Sequence, residues 1–105
     1  MKIFISQPMR YKTDEEILAE RNDVINLFRL IAPSSQASQE VEIINSFFED
    51  APFDAGPLWH IGESIKRMAD ADVVYFCKDW HKYRGCTIEH ECAVRYGKKI
   101  IYGSL

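Results

Sequence analysis

The sequence has no apolar run approaching the ~20 residues that span a bilayer, and its opening residues lack the basic and long apolar stretches of a secretory signal. The expected compartment is the cytoplasm, with no membrane partner. Positive charge is not in excess either: 13 Lys plus Arg stand against 16 Asp plus Glu, a formal net charge of −3. That balance repels a phosphate backbone and argues against general nucleic-acid binding. Cysteine is confined to Cys77, Cys86 and Cys92. An odd number without an export signal makes reduced thiols the expectation. No internal repeat or low-complexity tract interrupts the chain. What remains is 105 residues with 47% hydrophobic and 28% charged positions, the balance of one globular domain over residues 1–105 that needs no metal or disulfide staple.

The pattern is of strands alternating with helices. Lys2 to Ser6 is a β-branched apolar run closed by Gln7-Pro8. Thr13 with Glu16 forms a capping box, and Ile17, Val24, Ile25, Phe28 and Ile31 then recur at helical spacing, with Glu20, Arg21, Asp23 and Arg29 expected to stay wet. Ala32 to Gln39 reads as loop, Val41 to Phe48 as a second strand, and Glu49 to Pro57 as a long connection. Leu58, Ile61, Ile65 and Met68 mark a second helix, Asp72 to Cys77 a third strand, and Ile88, Cys92 and Tyr96 a third helix that Gly97 ends before the strand Lys99 to Tyr102. The order βαβαβαβ predicts parallel pairing and a small three-layer, Rossmann-like α/β sandwich of about four strands. In such sheets ligands sit beyond the carboxyl ends of the strands, which selects the segments 6–13, 47–59 and 78–91.

Those segments carry the chemistry. Ser6, Gln7, Pro8, Met9 and Arg10 lead from a strand end toward a helix N-terminus, with Arg10 and Lys12 placed to receive a phosphate or carboxylate. The run has no glycine, so it is neither a P-loop nor a dinucleotide fingerprint. Arg84-Gly85 opens the third helix, with Gly85 expected to permit a tight turn and Glu89 about one turn in. A carboxylate there can attack an anomeric carbon or stabilise an oxocarbenium ion; it can equally compensate the helix dipole. Cys77, His81, Cys86 and His90 are all zinc-ligand types, but C-x3-H-x4-C-x3-H is not a standard zinc-finger spacing and Cys77 ends a buried strand, so no metal and no other cofactor is expected. Phe48, Trp80 and Tyr83 are the loop aromatics available to stack on a base.

The segments Ser6–Arg10, Asn45–Asp50, Ala71–Phe76 and Arg84–Glu91 together resemble a small family of phage and bacterial proteins of unassigned function. That family is similar in turn to nucleoside 2-deoxyribosyltransferases and deoxynucleoside 5′-monophosphate N-glycosidases, whose Gly-x-x-x-Glu-x-x-x-Ala pattern is matched by Gly85, Glu89 and Ala93. The resemblance implies Glu89 as the nucleophile at C1′ and a 5′-phosphate role for Ser6 through Arg10. The chain departs from those enzymes at Ser64, where they have an Asp, at His90-Glu91, where they have Leu-Gly, and at Tyr11, where the small family has glycine. Two readings follow. In the first, an N-glycosidase or deoxyribosyltransferase uses Glu89, assisted by His90 or Glu63 as acid, with Phe48, Trp80, Arg84 and Gly85 helping to hold the substrate. In the second, a nucleotide is sequestered or sensed without turnover. A homodimer is expected because the relatives build their sites at subunit interfaces.

Overall fold

In the computed structural model, which describes residues 1–31, 41–46, 48 and 51–103, strands β1 (Lys2–Ser6), β2 (Glu42–Ile44), β3 (Val73–Phe76) and β4 (Lys99–Tyr102) alternate with helices α1 (Asp14–Ile31), α2 (Pro57–Met68) and α3 (Arg84–Arg95). The strands form one parallel sheet in the order β2-β1-β3-β4, with Ile3 opposite both Ile43 and Val73, and Val74 opposite Ile100. The predicted α/β sandwich is thus the observed fold.

Alternation along the central strands decides which helix covers which face. Ile3, Ile5, Val73, Tyr75 and Cys77 pack with Val24 and Phe28 of α1, whereas Phe4, Val74 and Phe76 pack with Met68 of α2 and Ala93 of α3. Phe28 meets Tyr75 edge to face at 5.4 Å between ring centres, and truncating such a buried ring costs ~3–5 kcal/mol. No helix among the described residues is long and apolar enough to cross a membrane.

Local signals set the boundaries. The Thr13 capping box forms in both directions, Glu16 N–H to Thr13 Oγ1 at 3.1 Å and Thr13 N–H to Glu16 Oε1 at 3.3 Å. At the end of α3, Gly97 adopts φ +71° while the Lys98 amide returns to the Ala93 carbonyl at 2.9 Å, the left-handed cap that glycine makes cheap. A different constraint acts on Gly103: a Cβ there would lie 1.6 Å from the Tyr75 hydroxyl.

Two expectations are corrected. The second strand is only Glu42–Ile44, because beyond it Ser46 turns in to donate from Oγ to the Ile5 carbonyl at 2.9 Å instead of extending the ladder. Arg21, expected in solvent, is 8% exposed and spends its guanidinium on Ser46 Oγ at 2.7 Å and the Ile44 carbonyl at 2.9 Å. The expected loop Ala32 to Gln39, the Ile31 side chain, and Phe47, Glu49 and Asp50 lie outside the described residues.

Candidate functional site

The chain leaves β1 toward the α1 face and β3 toward the α3 face, so the strand order switches between these two neighbours, the place where open parallel sheets hold ligands. A cavity of about 460 Å³ lies there, bounded by the loops after β1 and β2 and by one side of α2 and α3. That volume suits a small organic ligand.

Glu89 lines it from the second turn of α3 and is 7% exposed. The Ser6 hydroxyl, at the end of β1, donates to Glu89 Oε1 at 2.7 Å, and Ser64 of α2 supplies a second hydroxyl bond. Burial pushes the Glu89 carboxyl up to about 7, against the pull of both serines toward the ionised form. Cys86, one turn before Glu89, also lines the cavity and hydrogen-bonds with Ser6; burial raises its thiol to about 12, so it is not a thiolate nucleophile at neutral pH. The deep wall is therefore a carboxyl group that changes charge near neutral pH, set in a frame of two hydroxyls and a neutral thiol.

Cations dominate the opening. Arg10, in the loop after β1, and Arg84, the first residue of α3, are both exposed and line the cavity. Arg21 adds a buried positive charge behind Ser46 of the wall, its pKa lowered by desolvation. Glu89 is the one carboxylate among the described lining residues. Phe48, His60 and Tyr83 supply flat surfaces, with the Phe48 and His60 rings stacked at 6.2 Å. Gly85 is already inside the first turn of α3, and a Cβ on it would meet nothing within 4 Å. The expected tight turn is absent there; what the glycine provides is open space in the cavity wall.

Of the residues singled out from the sequence, Glu89, Gln7, Pro8, Met9, Arg10, Phe48, Arg84 and Gly85 are brought together around the cavity. Ser6 lies behind Glu89 and holds it, outside the lining. The proposed acid His90 is not in the lining: it stacks on Trp80 at 4.1 Å and hydrogen-bonds the Tyr102 hydroxyl at 2.6 Å. One residue beyond Glu89 on a helix is ~100° around the axis, which carries His90 toward β4. Trp80 is drawn into the same ring cluster against Phe76 and is likewise displaced from the cavity. The other proposed acid, Glu63, is outside the lining and pairs with Arg67 at 3.1 Å, while the Arg67 guanidinium covers the Phe48 ring at 4.5 Å. Among the described residues no three His, Cys, Asp or Glu side chains are grouped to hold a metal ion.

Sequence reasoning passed over His60, Ser46 and the buried role of Arg21, and it placed Ser64 without giving it a role. A signal existed for Ser64: it interrupts the stripe Ile61, Ile65, Met68 on the core side of α2, and His60 is one turn before it. Tyr11 has φ +66°, a left-handed conformation uncommon for a residue other than glycine. Neither a family model nor a curated protein matches the chain.

Proposed function

We propose that the chain is a nucleotide or nucleoside N-glycosidase, or a 2-deoxyribosyltransferase-like enzyme, with Glu89 as nucleophile. The observation that carries this reading is the buried Glu89 carboxyl deep in a cavity whose mouth bears Arg10 and Arg84. Opposite charges lining one ligand-sized cavity suit a molecule with an anionic end and an electrophilic carbon. A nucleoside 5′-monophosphate has both.

In this mechanism the ionised Glu89 oxygen bonds to C1′ as the C1′–N bond breaks, and the bonding pair leaves on the base nitrogen. A proton from a cavity acid neutralises the departing base. His60 and Tyr83 are lining side chains that can donate a proton to it. Water or an acceptor base then opens the glycosyl ester, returning the carboxylate. Ser6 and Ser64 orient the nucleophile and favour its charged form.

One feature favours the second reading, capture without turnover: the described lining holds no second carboxylate, and Ser64 stands where the resembling enzymes have Asp. The deciding experiment measures free base released from a panel of deoxynucleoside and nucleoside monophosphates. Release by the wild type that falls at least ~1000-fold in Glu89→Gln supports catalysis. Binding without release supports sequestration, and equal rates in both chains refute Glu89 as nucleophile.

A further inference from the structure

Gln7 is 5% exposed, lies in the cavity wall and has a fixed amide orientation. Its Nε2 donates to the Ile17 carbonyl at 2.6 Å and to Glu20 Oε1 at 3.1 Å. Both partners are acceptors, so only the NH₂ end can face them. The amide oxygen is the end left over, and among the described residues this buried acceptor has no hydrogen-bond partner. Buried acceptors are rarely left so, and one beside a cavity is a place for a ligand donor.

Resting on the nucleotide reading above, we infer that Gln7 Oε1 accepts a hydrogen bond from a sugar hydroxyl of the bound ligand. The placement of Gln7 selects the sugar over the base. Ser6, which holds Glu89, and Arg10, at the mouth, bracket the segment Gln7-Pro8-Met9. A ligand with C1′ at Glu89 and its phosphate at Arg10 lays its sugar along that segment, while the base extends toward Phe48, His60 and Tyr83. A 2′-deoxyribose 5′-phosphate joined to a base has a single free hydroxyl, at C3′. It is therefore the donor that a deoxynucleotide presents to Gln7, and its loss leaves the acceptor as orphaned as it is in the free protein.

The test is calorimetric and uses the Glu89→Gln chain, so that no ligand is consumed. A 2′-deoxynucleoside 5′-monophosphate is compared with its 2′,3′-dideoxy counterpart, with and without Gln7→Met. The expected result is a preference of about tenfold for the 3′-hydroxyl ligand, lost on Gln7→Met while the dideoxy ligand binds within about twofold as before. Equal binding of the two ligands when Gln7 is present overturns the inference, and this arm does not depend on the folding of the Gln7→Met chain. A preference that survives Gln7→Met, with both affinities lowered alike, also overturns it and leaves Gln7 as a strut for α1. Base release by the wild type is scored separately, so the enzyme reading can fail while the hydroxyl preference stands. Absence of binding by either ligand refutes both.

Discussion

Replacing Glu89 with Gln should stabilise the protein, and the gain should depend on pH. The folded-state pKa of about 7 exceeds the ordinary 4.5, so between these values the folded chain holds more protons than the unfolded chain, and stability falls as pH rises. Each tenfold change in protonation equilibrium is worth ~1.4 kcal/mol, so the shift corresponds to about 3 kcal/mol above pH 7 and below about 1 kcal/mol at pH 5. Gln mimics the protonated carboxyl, can still accept from Ser6, and carries no charge to desolvate. Chemical denaturation of both chains at pH 5 and pH 8 gives the two differences directly. The Gln chain should gain little at pH 5 and about 3 kcal/mol at pH 8, or roughly 10 °C or more in melting temperature for a domain of this size. A difference that is the same at both pH values, or a loss of stability at pH 8, would refute the claim that burial governs this carboxyl.

The remaining predictions concern the groups around it. Ser6→Ala removes a donor to the ionised form, so the acid limb of the kcat/KM profile should move to higher pH and activity should fall more at pH 6 than at pH 9, checked by initial rates across that range. His90→Ala should leave base release unchanged while lowering stability by about 1–2 kcal/mol, because His90 serves the ring cluster with Trp80 and Tyr102; a large kcat loss in a folded chain would restore it to the site. Gly103→Ala should cost about 1–3 kcal/mol by overpacking, since its Cβ meets the Tyr75 hydroxyl. Tyr75→Phe removes that hydroxyl, which is buried without a partner among the described residues, and should return part of the loss in the double variant.

The fold was legible wherever a local signal and a long-range need agreed. β1 and β3 are short apolar runs because they occupy the middle of a parallel sheet covered on both faces, and their limits follow from Gln7-Pro8 and from Cys77. The capping box at Thr13 and the cap at Gly97 act within a few residues, so sequence alone suffices for them. β2 ends early for a tertiary reason: Ser46 bonds Ile5 and Arg21, partners 41 and 25 residues away. Arg21 resembles any polar residue on the wet side of an amphipathic helix, and its burial follows only from the seat that Ser46 and the Ile44 carbonyl provide.

The site divides in the same way. Glu89 and the loop through Arg10 follow from strand-end geometry, which topology predicts. His90 is next to Glu89 in sequence but not in space, because adjacent helical residues diverge by ~100° about the axis. Ser64 carried a short-range signal, its break in the apolar stripe of α2 with His60 one turn before it, but what that side of α2 meets is set by packing against α3.

The most direct measurement is a carbon-detected NMR titration of the Glu89 carboxyl, made on the free protein and again with a saturating deoxynucleotide analogue whose base is joined to C1′ through carbon, a bond Glu89 does not cleave. The account predicts a midpoint near 7 for the free chain and a higher one with ligand, because a phosphate in the same cavity adds negative charge that opposes ionisation. A midpoint near 4.5 in the free chain, or one that the nucleotide leaves in place, would contradict it.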